Sequence, residues 1–219
     1  MARTAHNVRP VRLPLGPTGF ARLTGVSRET LDRLLAYVEL LELWNRRINL
    51  IGRNTMGDIW RRHLLDSAQL CVLLPPRKLV LADLGSGAGL PGIVLAIMGV
   101  DETHLIESDQ RKAAFLREAV RITGVNATVH AARIEEMPGF AADVVTARAL
   151  ADLPTLIELS AKFRTERTLS LFLKGEGASE ELAAARQVWT MKAEQIQSRS
   201  DPTGSIIKLA EIERQEGAP

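Results

Sequence analysis

A chain of 219 residues, 46% hydrophobic and 25% charged, can bury the core of one ordinary domain plus an appendage, which excludes a disordered or low-complexity protein. Its single cysteine, Cys71, excludes an internal disulfide and predicts a reducing compartment, and Asp or Gly breaks the apolar stretches well before membrane-spanning length. The formal net charge is only +2, yet residues 1–62 hold eleven arginines against five carboxylates, so the basic part is N-terminal. That imbalance suits a polyanionic partner, since arginine pairs with phosphate through two donors and stacks on bases; a solvated arginine-rich surface is the alternative.

Residues 1–17 carry three prolines and Arg3, Arg9 and Arg12 without apolar periodicity, which predicts a mobile basic arm. No signal-peptide apolar segment stands there, so a soluble, cytoplasmic protein is expected. Residues 18–76 read as an N-terminal helical extension. Ser27 is an N-cap with Glu29 in the first turn, and Leu31, Leu34, Leu35, Val38 and Leu41 at 3 and 4 spacing predict an amphipathic helix to about Trp44. Asn45 to Asn54 reads as a loop. Thr55 with Asp58 resembles a capping box opening a second helix through Ile59, Trp60, Leu64, Leu65, Ala68 and Leu70, which Pro75-Pro76 ends.

Residues 77–219 alternate strand and helix, the pattern of a doubly wound, mostly parallel sheet in an α/β fold. Strands are expected at Leu79–Leu84, His104–Ile106, Ala127–His130, Ala142–Ala147 and Leu169–Leu173. Helices are expected after Pro91 and over Gln110–Thr123, Asp152–Phe163 and Ser179–Trp189. Glu194–Ser198 and Ile206–Ile212, joined by Asp201-Pro202-Thr203-Gly204, predict a closing antiparallel hairpin.

The chain centres on Asp83-Leu84-Gly85-Ser86-Gly87-Ala88-Gly89-Leu90-Pro91-Gly92, a buried strand running into a glycine turn and a helix start. A dinucleotide turn of the G-x-G-x-x-G type needs glycine where Leu90 stands. The spacing acid-x-G-x-G-x-G resembles motif I of the class I S-adenosylmethionine methyltransferases instead. Glu107, at the end of the second strand about twenty residues beyond the turn, is placed to accept both hydroxyls of a ribose, which either cofactor carries. Ile134 and Glu135, after the third strand, are candidates to cover an adenine. Arg148, directly after the fourth strand, stands where cofactor and acceptor would meet. A nicotinamide-dependent oxidoreductase and a non-catalytic RNA-binding assembly factor remain as alternatives, disfavoured by Leu90 and by the intact turn.

The fourth strand ends in Ala147-Arg148-Ala149-Leu150, without the acid or Asn followed by Pro-Pro-aromatic common among exocyclic-amine methyltransferases. No cysteine nucleophile for a pyrimidine carbon is present. A ring nitrogen that already owns a lone pair needs neither; it needs alignment.

Asn49-Leu50-Ile51, Arg62-His63-Leu64-Leu65-Asp66-Ser67, Asp83 to Gly92, Arg133-Ile134-Glu135-Glu136, Ala147-Arg148-Ala149 and Lys174-Gly175 stand in the order and spacing of the RsmG (GidB) family. The chain resembles that family from about residue 27 to 212. The resemblance implies a seven-stranded methyltransferase sheet and transfer of a methyl group from S-adenosylmethionine to N7 of guanine 527, in the helix 18 loop of 16S ribosomal RNA. By position it implies cofactor contacts at Gly85, Leu90, Ile134, Glu135 and Arg148; Asp83, Gly87, Gly89 and Glu107 follow from the turn and the fold. Arg148 is expected to orient the reactants, with no general base. Ser86, Leu90 and Val94 depart from the family's commoner Thr, Phe and Pro. Arg53, Arg61, Arg62 and Lys174 are the candidates for RNA phosphate contact, and the expected partner is 16S rRNA or the 30S subunit, met by a monomer. His63 and Asp66 share a helix face, but four scattered histidines make a metal site a poor reading; packing the N-terminal helices against the cofactor loop is the better one.

Overall fold

A computed structural model describes residues 14–215 and Gly217. Most of the expected arm therefore lies outside the described residues, and its last residue, Pro17, already opens a helix. Five strands pair in parallel: β1 (Val80–Leu84), β2 (Glu102–Ile106), β3 (Ala127–His130), β4 (Val144–Arg148) and β5 (Leu169–Lys174). The hairpin strands β6 (Trp189–Gln197) and β7 (Ser205–Arg214) complete a seven-stranded sheet of order β3-β2-β1-β4-β5-β7-β6, in which β7 runs antiparallel to both neighbours. The chain leaves β1 for β2 on one side and reaches β4 on the other. The crevice of a doubly wound sheet therefore opens between the carboxyl ends of β1 and β4.

The helices fall where apolar spacing placed them, with informative exceptions. Helix α1 (Pro17–Thr24) was not expected; it buries Phe20 edge-on against Trp60, ring centroids 5.3 Å apart. Helix α2 (Arg28–Asn45) is capped by the Ser27 hydroxyl, which accepts from the Thr30 N–H, and buries Leu34, Tyr37, Val38 and Leu41. No α-helix opens at Thr55. Arg53–Asp58 is a 3-10 turn, Trp60–Leu65 a π-helical turn, and only then come the short α3 (Asp66–Ala68) and a 3-10 turn over Gln69–Leu73. The expected cap fails because its groups are engaged elsewhere. The Thr55 hydroxyl donates to the Gly52 carbonyl, and Asp58 accepts from the Leu15 N–H while pairing with Arg61.

Further on, α4 (Gly92–Ile97), α5 (Gln110–Thr123), α6 (Leu153–Ser160) and α7 (Ala178–Ala185) cover the sheet. Helix α7 stops short of Trp189, which opens β6 and lies under the Arg214 guanidinium. One apolar core joins α1, α2 and the 59–68 segment to α4 and α5, and a second joins α6, α7 and the hairpin to the other face. The N-terminal helices thus share their core with the helices that follow the glycine turn. No helix among the described residues is long and apolar enough to cross a membrane.

Candidate active site

At the carboxyl end of β1 the chain turns through Gly85 at φ +62°, Gly87 at +57° and Gly89 at +83°, backbone that L side chains rarely adopt. A Cβ on Gly85 would stand 2.7 Å from Leu150, and one on Gly89 2.5 Å from Ile93, so the turn is also closely packed. The Gly87 N–H donates to one Glu107 oxygen at 2.8 Å and the Asp109 N–H to the other at 2.8 Å. That carboxylate ties the turn after β1 to the start of α5. From α2, the buried Tyr37 hydroxyl donates to the Ala88 carbonyl at 2.6 Å, and burial pushes its pKa upward.

These groups surround a cavity of about 360 Å³, within the size range of small-molecule sites. Of the nine residues expected at the cofactor, Gly85, Gly87, Leu90, Glu107, Ile134, Glu135 and Arg148 line it. Gly89 and Asp83 do not. Gly89 faces Ile93 and Leu116 in the core. Asp83 is fully buried, where it accepts from the Thr146 hydroxyl at 2.8 Å and from the Gly92 N–H at 3.3 Å. Burial raises the Asp83 carboxyl to about 6, against the hydrogen bonds from Thr146, Ser86 and Gly92 that pull it down. It braces β1 on β4 and the helix start, and so shapes the turn from behind.

A second cavity of about 370 Å³ meets the first at Leu50, Arg148 and Ala149. Its walls come from the 50–66 segment, the end of β5 and the β6–β7 connection. Arg148 divides the two, its side chain 18% exposed and fixed on several sides. One guanidinium nitrogen donates to His63 Nδ1 at 3.0 Å; the other reaches Asp66 and the Arg62 carbonyl, each at 3.3 Å. Since a guanidinium only donates, His63 Nδ1 must be the acceptor, which leaves the proton on Nε2. Nε2–H then donates to the Thr55 hydroxyl at 2.7 Å, and Thr55 donates onward to Gly52. Burial and the Arg148 and Arg62 charges hold the imidazole down at about 3, so His63 is neutral. Asp66 accepts from Ser200 and Ser198 of the hairpin connection as well. His63 and Asp66 thus work as one clamp on Arg148, and no cluster of metal-ligating side chains occurs among the described residues.

The four cations expected at RNA fare differently. Arg53 is exposed at the start of the 3-10 turn that follows α2 and has no side-chain partner among the described residues. Arg61 pairs with Asp58 and Arg62 with Asp201. Lys174 is only 9% exposed; its ammonium sits 2.7 Å from Glu181 and donates to the Ala151 carbonyl at 2.7 Å. Sequence spacing had not pointed to Tyr37, Ser198 or Ser200. Tyr37 lies inside an apolar stripe that reads as plain core, and the two serines meet Asp66 across more than 130 residues, a pairing that no local pattern signals.

Solved structures share this fold at low identity. A complex of an MtNAS mutant with S-adenosylmethionine aligns over 90% of this chain and 84% of its own, with TM-score 0.57 and 14% identity. The M. jannaschii TYW2 complex with AdoMet aligns over 78% and 80%, with TM-score 0.54 and 16% identity. Sequence relatives are much nearer. A protein of Rhodospirillum centenum named ribosomal RNA small subunit methyltransferase G is 57% identical over 195 residues, 89% of this chain and 90% of its own. Proteins of the same name from Rhodospirillum rubrum and Paramagnetospirillum magneticum are 54% and 48% identical, covering 90% and 94% of this chain and 98% and 100% of theirs. The profile of the GidB family, described as rRNA small subunit methyltransferase G, matches residues 30–204. With that match, and with relatives this similar over nearly their whole length, the chain belongs to the GidB family of methyltransferases.

Proposed function

We propose that this protein transfers a methyl group from S-adenosylmethionine to N7 of guanine 527, in the helix 18 loop of 16S ribosomal RNA. We take it to act as a monomer in the cytoplasm on rRNA or the 30S subunit, with residues 18–76 as a helical extension and 77–219 as the methyltransferase unit. The observation that carries the reading is the pair of cavities meeting at a clamped arginine. The first fits S-adenosylmethionine by its donor set: a glycine floor that a Cβ at Gly85 would crowd, apolar Leu90 and Ile134, and a Glu107 carboxylate with lone pairs left for two ribose hydroxyls. When bound there, the cofactor supplies an electrophilic methyl on a sulfonium.

The second cavity is the place for the acceptor purine. Its walls hold no unengaged base: His63 is neutral with its lone pair turned to Arg148, and Asp66 is saturated by Arg148 and the serines. Guanine N7 owns its lone pair and asks the protein only for alignment. Arg148, held by Arg62, His63 and Asp66 of one segment, is the orienting group, and Ala149, at φ 51°, stands beside it on the wall shared by the two cavities. A purine enters such a recess only if unstacked, which favours a loop nucleotide.

The test is incubation with tritiated S-adenosylmethionine and 30S subunits, or protein-free 16S rRNA, from cells lacking the enzyme, with label mapped by cleavage at 7-methylguanine. One labelled guanine in the helix 18 loop is expected. Cofactor binding without label on either substrate would move the acceptor to another molecule.

A further inference from the structure

Three of the four cations picked from sequence are engaged in ion pairs, whereas Arg53 and a set of further cations are not. Arg46, Arg47 and Arg53 on the loop after α2, Lys112 on α5 and Arg133 after β3 have no side-chain partner among the described residues, and Arg111 reaches only Asp109, at 3.5 Å. They lie along connected depressions. Arg46 and Arg53 line one; Arg53, Asn49 and Leu50 line a second; Arg47, Asn49, Arg111 and Lys112 line a third. Lys112, Arg133 and Leu50 then line the first cavity. Each depression shares a residue with the next, so the strip is continuous and ends at the mouth of the active site. Glu42 and Asp109 are the acids along its outer part, against five cations there.

We propose that this strip is the path of the single-stranded RNA flanking the target nucleotide, with the arginines of the 46–53 loop contacting successive phosphates. The inference rests on the proposed function and names the surface that meets its substrate. Five reasons of chemistry converge. Guanidinium groups match phosphate; they are exposed; all but Arg111 lack internal carboxylate partners; the row is elongated and grooved, as a strand requires; and it leads to the cavity mouth. An acidic protein partner would call for apolar anchors among the charges, and along this outer strip Ile48, Leu50, Ile51 and Met56 are buried or half-buried against the core.

The test compares the full-length protein with the triple variant Arg46→Gln, Arg47→Gln, Arg53→Gln. A control triple, Lys78→Gln, Arg167→Gln, Arg186→Gln, removes three exposed charges on segments that precede β1, β5 and β6, away from the strands' carboxyl ends. Binding to 16S rRNA is measured across a salt series, and S-adenosylmethionine binding separately. Each phosphate contact to a single strand contributes about 0.7 to the slope of log K against log salt, so losing three lowers the slope by about 2. The strip variant should bind RNA at least about tenfold more weakly at moderate salt, with cofactor affinity unchanged and the control triple like wild type. A strip variant with the control's affinity and slope would overturn the proposal while wild type still methylates the RNA. Wild type that neither binds nor methylates rRNA would overturn the proposed function, and this inference with it.

Discussion

The two cavities on either side of Arg148 are built by different means. The first is floored by a backbone turn: positive-φ Gly85 and Gly87 line it with Gly89 packed behind them, two N–H groups meet on one carboxylate, and a carbonyl is held by Tyr37. The second is made of side chains brought together from distant parts of the chain, with Arg148 reaching His63 across 85 residues and Asp66 reaching Ser200 across 134. A backbone cradle offers general recognition of a small ligand, while a side-chain clamp sets the direction of a single group. Damage to the first cavity should therefore appear as lost cofactor affinity or stability, and damage to the second as lost rate.

The largest effect should follow removal of the shared wall. Arg148→Ala should lower the single-turnover rate of methyl transfer at least about 100-fold, the scale expected when reacting groups are misplaced by about an ångström. A rate within threefold of wild type would remove Arg148 from the orienting role. Glu107→Ala should raise the dissociation constant of S-adenosylmethionine by about 1 to 3 kcal/mol, roughly 5- to 150-fold, because it strands the hydroxyls and frees two backbone donors. Calorimetric titration measures this directly, and unchanged affinity would sink the ribose assignment.

Glycine substitutions separate crowding from strain within the turn. Gly89→Ala meets Ile93 and a left-handed backbone together, for about 3 kcal/mol of lost stability, whereas Gly87→Ala meets only the Gly85 carbonyl at 3.8 Å, an ordinary contact, and should lose about 1 kcal/mol from φ alone. Thermal unfolding of the two variants side by side reads the difference, and equal losses would show that packing behind the turn contributes nothing.

The smallest effect is a pH slope with opposing parts. His63 has its pKa lowered in the fold from 6.5 to about 3, so the unfolded chain binds the proton more readily. Its contribution is complete above pH 6.5 and is lost as pH falls toward 3. Asp83 has its pKa raised from 3.8 to about 6; its contribution is complete below pH 3.8 and is lost as pH rises through 6. His63→Asn keeps an acceptor near Arg148 but removes the titration. Between about pH 6.5 and 4 it should lose less stability on acidification than wild type, and an identical profile would contradict a neutral buried imidazole.

The same contrast explains what was legible in the sequence. The glycine turn, Glu107 at the end of β2 and the hairpin that closes the sheet were readable because period, glycine spacing and turn residues are local signals. The π-helical turn at Trp60–Leu65 was not, since Thr55 and Asp58 look like a cap until Gly52, Leu15 and Arg61 claim them. Asp83 reads as a ligand contact and proves to be a brace, because its position beside the glycines says nothing of Thr146 across the sheet. Lys174 stands at a strand's carboxyl end, as an RNA contact would, but Glu181 on the next helix takes its charge. Ion pairing is a tertiary property, which is why the sequence singled out Arg53 but set the paired Arg61 and Arg62 beside it and passed over Arg46 and Arg47.

One double measurement bears most directly on the division of labour. Glu107→Gln touches only the first cavity and Asp66→Asn only the second. Cofactor affinity and the single-turnover rate at saturating cofactor and RNA should be measured for both. Weakened cofactor binding with a near wild-type rate is expected for Glu107→Gln, and wild-type cofactor binding with a rate reduced about tenfold or more for Asp66→Asn. The reverse pattern, or both variants losing affinity and rate alike, would contradict two sites joined by one arginine.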